Sequence, residues 1–316
     1  MAKVTLKKAA SLLLEHDDIT ILCHRHPDGD TIGSAFGLCM ALRSLGKKAN
    51  VLCGDIIPRK YAYIFESIEP MDFREKYIVS VDVADSPLLG DLEGEYAQRI
   101  DLCIDHHGSN RIKAPHHYID DKAAATGEII YQLLEPLGAE LTKCIAISLY
   151  TALSTDTGCF RYSNVTARTH IIAAKLIETG IDANMVNLVM FETKSMARFN
   201  LEREIMSGVD FRYDGRMAII TLTNEMLTRN AVNEGDIDGL SAMARNIEGV
   251  DLGIMIRELA DGGFKISARS SRAVNACDFC RMFGGGGHPA AAGCTITGVC
   301  LEEARQMLVE NAGKIL

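Results

Sequence analysis

Through the first half of the chain, short apolar runs alternate with stretches patterned like helices: DITILCH, TIGSAFGLCMALRSLG, KANVLCG, YIVSVDVAD and RIDLCIDHH. Strands separated by helix-length segments predict a parallel sheet with helices on its faces. From about 121 to 208 the pattern is mostly helical, with AAATGEIIYQLLEPLG, TKCIAISLYTAL and TARTHIIAAKLIETG. A second pattern begins near 210 with RMAIITLTNEML and a helix-like DIDGLSAMARNIEG. In DLGIMIRELADGGFKISARSS, two apolar runs flank an Asp-Gly-Gly turn and read as a hairpin. MFGGGGHPAAAGCTITG, which includes an apparent strand, and a final helix over LEEARQMLVENAGKIL close the pattern. The prediction is an α/β protein of two domains. An N-terminal parallel-sheet domain covers 1–195, a linker or helix 196–208, and a smaller C-terminal α/β domain 209–316. No Pro/Gly-rich linker marks the boundary, which falls between about 190 and 208.

Composition narrows the function classes. With 316 residues, 47% apolar and 24% charged, the chain can bury two cores and is unlike a disordered protein. A formal charge of −9 argues against coating long nucleic acid, which needs a broad field of Lys and Arg. A short anionic substrate fits, provided cations reverse the sign of a carboxylate-rich cleft. No stretch approaches 18 consecutive apolar residues, and Glu15, His16, Asp17 and Asp18 break the N-terminal run, so a cytoplasmic protein without a membrane partner is expected. Ten cysteines, many inside apolar runs, read as reduced thiols.

Polar clusters sit at the exits of the predicted strands. DITILCH leads into His24, Asp28 and Asp30; YIVSVDVAD delivers Asp82 and Asp85; RIDLCIDHH delivers Asp105, His106 and His107. A fourth piece, LSTDTGCFRYSN, follows a helical run and contributes Asp156. Each is ordinary by itself: PDGD is a common turn, and an Asp beside Thr is a common helix terminus. Their joint position is informative, because the strand exits of an open parallel sheet share one edge, where such folds place ligands. So many carboxylates and imidazoles in one cleft would repel and dehydrate one another without cations between them. Two divalent ions are therefore predicted. Carboxylate oxygens with a minority of imidazole suit Mn²⁺ best, with Mg²⁺ the other choice. Such a pair supports in-line displacement at phosphorus, so phosphate-ester hydrolysis is the expected chemistry.

Near the C-terminus, FGGGGHPAAAG could bring successive backbone N–H groups against an anion, with His288 and Arg269 as side-chain partners; the plainer reading is a surface loop. Cys277 and Cys280 form a C-x-x-C followed by His288 and Cys294, so a structural zinc site competes with a helix whose thiols face the core.

Taken together, these motifs resemble the DHH phosphoesterase family. HRHPDGD, VDVAD, DHHGSN and STDTG look like its four N-terminal motifs, and SARSS with FGGGGHPAAAG looks like its DHHA1-type C-terminal domain. The compact architecture and TGCFRYSN are most similar to its NrnA-type branch, which degrades oligoribonucleotides of a few residues and dephosphorylates 3'-phosphoadenosine 5'-phosphate (pAp). The resemblance implies that His24 and Asp28 hold one Mn²⁺, that Asp30, His106 and Asp156 hold the other, and that Asp82 bridges both. His107 would touch the scissile phosphate or assist the leaving group, and Asp105 would orient a histidine. Across an interdomain cleft, Arg269, His288 and the backbone of Gly284, Gly285, Gly286 and Gly287 would grip the nucleotide, with Ser270 and Asn275 beside them. His26 is not a motif residue.

The expected activity is hydrolysis of short oligoribonucleotides to mononucleotides, with pAp as a second substrate. Its rivals are a linear or cyclic dinucleotide phosphodiesterase, a RecJ-like single-strand exonuclease, and a nucleotide sensor without turnover. A homodimer is the expected assembly, with no face assigned to it.

Overall fold

The computed structural model describes residues 2–232, 237, 239–271 and 273–316. The chain divides between Thr193 and Lys194 into two units.

In the first unit, β1 (Ala2–Lys3), β2 (Ile19–Cys23), β3 (Ala49–Cys53), β4 (Tyr77–Val81), β5 (Leu102–Asp105) and β6 (His116–Ile119) form one sheet in the order β1-β6-β5-β4-β2-β3, every pair parallel. Every residue of β2, β4 and β5 is buried, as expected for strands covered on both faces. From β2 the chain runs outward to β3, then returns to place β4 on the other side of β2. The strand order therefore reverses between β2 and β4, the position where open α/β sheets bind ligands. Register aligns the exits: Leu22 pairs with Ser80 and Val81 with Ile104, so His24, Asp82 and the end of β5 emerge at one level.

Helices α1 (Leu6–Glu15) and α2 (Gly29–Ser44), the short α3 (Ala62–Phe65) and α4 (Glu93–Tyr96), and then α5 (Thr126–Leu137), α6 (Lys143–Asp156), α7 (Ala167–Glu178) and α8 (Ala183–Asn187) complete this unit. Leu13, Ile21, Leu38, Val79, Ile129 and Leu149 belong to the core that joins one sheet face to α1, α2, α5 and α6. Helices α2 and α6 pack unusually closely. A Cβ on Gly33 would lie 2.2 Å from the Ser148 carbonyl oxygen, so only glycine fits at this crossing.

The second unit contains α9 (Met196–Ser207), β7 (Asp210–Arg212), β8 (Met217–Leu222), α10 (Asn224–Arg229), β9 (Leu252–Glu258), β10 (Phe264–Ser270), α11 (Ala276–Arg281), β11 (Gly286–His288), β12 (Ala291–Ile296) and α12 (Leu301–Ala312). Its sheet runs β11-β12-β10-β9-β8-β7, parallel only between β8 and β9. The hairpin predicted around Asp261 is β9–β10. The helix expected over 236–249 is replaced by a 3₁₀ turn at Leu240–Ala242 followed by turns, and residues 236 and 238 of that stretch lie outside the described residues.

Candidate metal centre

Each site side chain is delivered by the end of a regular element. His24 follows β2, Asp82 follows β4, Asp105 ends β5, and His106 and His107 come next. Asp28 is the N-cap of α2, its Oδ1 accepting from the backbone N–H of Asp30 (2.9 Å) and Thr31 (3.1 Å). Asp30 lies in the first turn of α2, and Asp156 is the last residue of α6. The close α2–α6 crossing thus brings the start of one helix to the end of the other.

Asp82 stands between two histidines. Its Oδ2 is 3.7 Å from His24 Nε2 and its Oδ1 is 3.7 Å from His106 Nε2. Around these contacts, His24, Asp28 and Asp82 form one ligand-competent group, Asp30, His106 and Asp156 a second, and Asp82, Asp105, His106 and His107 a third. Asp82 holds its backbone at φ 59°, a left-handed conformation that costs a non-glycine residue of order 1–3 kcal/mol and is typical of functional positions. A pocket of about 310 Å³ is lined by His24, Asp28, Asp82, His107 and Asp156, with Leu88 on its wall. Two pockets elsewhere in this unit, of about 700 and 370 Å³, contain none of the three groups, so size alone does not locate the site.

Hydrogen bonds set the histidine tautomers. His24 Nδ1 lies 2.7 Å from the Arg25 carbonyl and His106 Nδ1 lies 3.2 Å from the Ala123 carbonyl. A carbonyl can only accept, so both rings donate through Nδ1 and present the Nε2 lone pair to the carboxylates. His106 Nε2 is 3.8 Å from Asp30 Oδ2 and 3.6 Å from Asp156 Oδ2; His24 Nε2 is 3.5 Å from Asp28 Oδ1. Lone pairs facing one another at these distances are what two ligand bonds of about 2.1 Å span when they meet at a cation. The donor set therefore fits two divalent ions sharing Asp82.

The electrostatics agree. Asp30 and Asp82 are 1% and 2% exposed, and burial pushes both carboxyls above the ordinary range, Asp82 the further because Asp30, Asp28, Asp105 and Asp156 surround it. Asp156 is pushed up to about 7 by burial and by Asp30. Within each of the first two groups the ligand atoms lie within 4.8 Å of one another. One ionised pair at such a separation costs about 3–4 kcal/mol at an effective dielectric of 20, and a domain's whole stability is about 5–15 kcal/mol. Protons or cations must neutralise the cluster.

Asp105 is set apart. It is fully buried and accepts from the backbone N–H of His106 (2.7 Å) and His107 (3.1 Å), from His107 Nδ1 (2.8 Å) and from Asn110 Nδ2 (2.6 Å). Burial opposes its ionisation, but the bond to His107 and the other donors outweigh it and hold Asp105 below the ordinary range. That bond in turn raises His107. With Nδ1 so engaged and the ring half exposed, His107 offers Nε2 outward. Asp85 does not join the cluster; its Oδ1 accepts from the Ser86 N–H, capping a 3₁₀ turn. His26 is mostly exposed and pairs with Asp55.

Sequence reasoning missed Thr126, Gly127 and Asn110. The N-cap of α5 is Ala125, which has no capping side chain, and the Asp30 carboxylate takes that place by accepting from Thr126 N–H (2.7 Å) and Gly127 N–H (3.0 Å). The available signal was a helix start, AAATGE, lacking a polar residue at its cap.

In the second unit, the glycine run begins in a turn at Gly284, and its last two residues, Gly286 and Gly287, enter the edge strand β11. β11 pairs antiparallel with β12 and forms the sheet edge, with Gly286 opposite Gly293 and His288 opposite Ala291. A Cβ on Gly285 would lie 2.2 Å from the Gly293 carbonyl, and Gly284 adopts φ +74°, whereas Gly286 and His288 are exposed. Arg269 and Ser270 end β10 next to this hairpin, and Ser270 Oγ donates to the Pro289 carbonyl at 2.8 Å. Asn275 caps α11 through Oδ1. Cys277 and Cys280 are buried in the core, and no metal-competent group among the described residues includes them, so nothing here supports the zinc alternative.

Residues 18–153 match the model of the DHH family N-terminal domain, and residues 216–314 match the DHHA1 domain. Over 298 residues the chain is 33% identical to the bifunctional oligoribonuclease and PAP phosphatase NrnA of Thermus thermophilus, covering 92% of this chain and 88% of that protein. An exopolyphosphatase-related protein from Bacteroides fragilis superposes with a TM-score of 0.86 at 25% identity, covering 98% of this chain and 96% of that one. RecJ from Thermus thermophilus in complex with Mn²⁺ shares the fold at a TM-score of 0.58 and 14% identity, over 98% of this chain and 55% of that one. On this evidence the chain belongs to the DHH phosphoesterase family, with an N-terminal DHH domain and a C-terminal DHHA1 domain.

Proposed function

We propose that this protein hydrolyses short oligoribonucleotides to mononucleotides and removes a phosphate from pAp, using two divalent cations of which Mn²⁺ suits the ligands best. The observation that carries this reading is Asp82, whose two oxygens address His24 and His106 from a fixed, buried position. Further support comes from the Thermus thermophilus relative, named as an oligoribonuclease and PAP phosphatase, which aligns over nearly the whole chain.

In this reading His24 and Asp28 would hold one ion, Asp30, His106 and Asp156 the other, and Asp82 would serve both. Cations held there would supply a nucleophile active at neutral pH and would neutralise charge on the phosphate. His107, its Nδ1 fixed by Asp105, directs Nε2 toward the scissile phosphate and gives a proton to the leaving oxygen. Arg269, His288 and the edge strand Gly286–His288, with Gly284, Gly285, Ser270 and Asn275 shaping their surroundings, grip the distal phosphate and base. A grip on the far end of the substrate would measure its length, while the overall negative charge disfavours long polymers. We place the activity in the cytoplasm, where the ten free cysteines would stay reduced.

The test is product analysis by chromatography after incubation with Mn²⁺ and, separately, an RNA dinucleotide, pAp, a cyclic dinucleotide and long single-stranded DNA. Rapid turnover of the first two and little of the last is expected. Turnover confined to the cyclic compound or the long strand would contradict the proposed substrate class, and nucleotide binding without product would favour a sensor.

A further inference from the structure

The two proposed ion positions are built in different ways. His24 and Asp28 are held by their own neighbourhood: His24 Nδ1 donates to the Arg25 carbonyl, and Asp28 accepts from the N–H groups of Asp30 and Thr31. At the other position only one bond is local, from Ser34 Oγ to Asp30 Oδ1 at 2.8 Å, and the rest come from one remote backbone segment, residues 123–127. The Ala123 carbonyl orients His106, the N–H groups of Thr126 and Gly127 hold both oxygens of Asp30, and Thr126 Oγ1 donates to Asp82 Oδ1 at 2.9 Å, the oxygen that faces His106.

Asp156 is tied to the same segment through Asn164. The Asn164 amide donates to the Ala124 carbonyl at 2.9 Å and to the backbone carbonyl of Asp156 itself at 3.1 Å. Asn164 is exposed and belongs to no core cluster; what it contributes to the structure is this pair of hydrogen bonds to two carbonyls. Thr126, by contrast, is fully buried.

We infer that segment 123–127, fastened by Asn164, is a template for the Asp30–His106–Asp156 ion position alone, with Asn164 and the Thr126 hydroxyl as positioning residues. The inference rests on the two-ion reading above. Partners that orient metal ligands typically change affinity by about 10–100-fold when removed, and here that loss falls on one ion of the pair.

The test is calorimetric titration of Mn²⁺ into the metal-stripped full chain, with thermal melting of each metal-free protein. Wild type is expected to show two binding events. In Asn164→Ala, one event weakens about 10–100-fold and the other keeps its affinity, while the metal-free melting temperature stays near wild type. Thr126→Val reproduces the selective loss, and Thr126→Ser, which keeps the hydroxyl, restores the weakened event. Unchanged binding in both Asn164→Ala and Thr126→Val would overturn the inference, as would equal weakening of both events. A wild type that binds fewer than two ions would overturn the two-ion reading itself and the inference with it.

Discussion

Asp82 and His106 face each other at 3.7 Å through Oδ1 and Nε2, while the other Asp82 oxygen lies at the same distance from His24. Few carboxylates can serve two positions at once, and this one is 2% exposed with its backbone in a left-handed conformation. Asp82→Ala should therefore abolish nearly all turnover. Asp82→Asn should do the same without lowering the melting temperature of the metal-free protein, because the amide, like the raised carboxyl it replaces, adds no charge among the four other carboxylates around it. A folded variant with wild-type turnover would refute the shared-ligand account.

Metal removal should make stability depend on pH in a defined direction. Asp30, Asp82 and Asp156 are raised in the folded state, Asp156 from 3.8 to about 7. A raised carboxyl adds stability that is complete below its unfolded value and is lost as pH rises through its folded value. The metal-free protein should therefore melt at progressively lower temperature as pH climbs from about 4 to about 8, and saturating Mn²⁺ should flatten the slope. Melting curves with and without chelator would check this; a metal-free protein that gains stability over that range would count against the cluster's electrostatics.

Gly33→Ala tests the α2–α6 crossing. Its new methyl would meet the Ser148 carbonyl at 2.2 Å, so the helices must separate. The expected cost is about 1–3 kcal/mol, as for other overpacked sites. Mn²⁺ affinity should fall as well, since the start of α2 carries Asp30 and the end of α6 carries Asp156. Chemical denaturation and metal titration on the same variant would show whether the two losses occur together.

Arg269→Ala and His288→Ala address the proposed substrate grip. Interactions made equally in the ground and transition states change KM rather than kcat. Each variant should raise KM for an RNA dinucleotide more than it lowers kcat, and unchanged KM in both would remove the DHHA1 hairpin from substrate binding.

The sheet and the convergence of these acidic and histidine side chains were legible because strand exits and polar clusters coincide: apolar runs end at His24, Asp82 and Asp105, and an open parallel sheet brings such ends to one edge. Other parts were hidden for physical reasons. β6 reads HHYI, and its two histidines break the apolar pattern of a buried strand. Asp85 follows the same strand as Asp82, yet the chain turns between them and spends its carboxylate on a local cap. Four successive glycines suggest a loop by composition, whereas pairing with β12 makes their end an edge strand. The bonds from Thr126 and Gly127 to Asp30 span about a hundred residues, so no local pattern announces them.

The most direct test of the central claim is a crystal structure grown with Mn²⁺, with diffraction data collected at the manganese absorption edge. The account predicts two anomalous peaks, one beside His24 and Asp28 and one among Asp30, His106 and Asp156, with Asp82 reaching both. A single peak, or peaks away from Asp82, would contradict it.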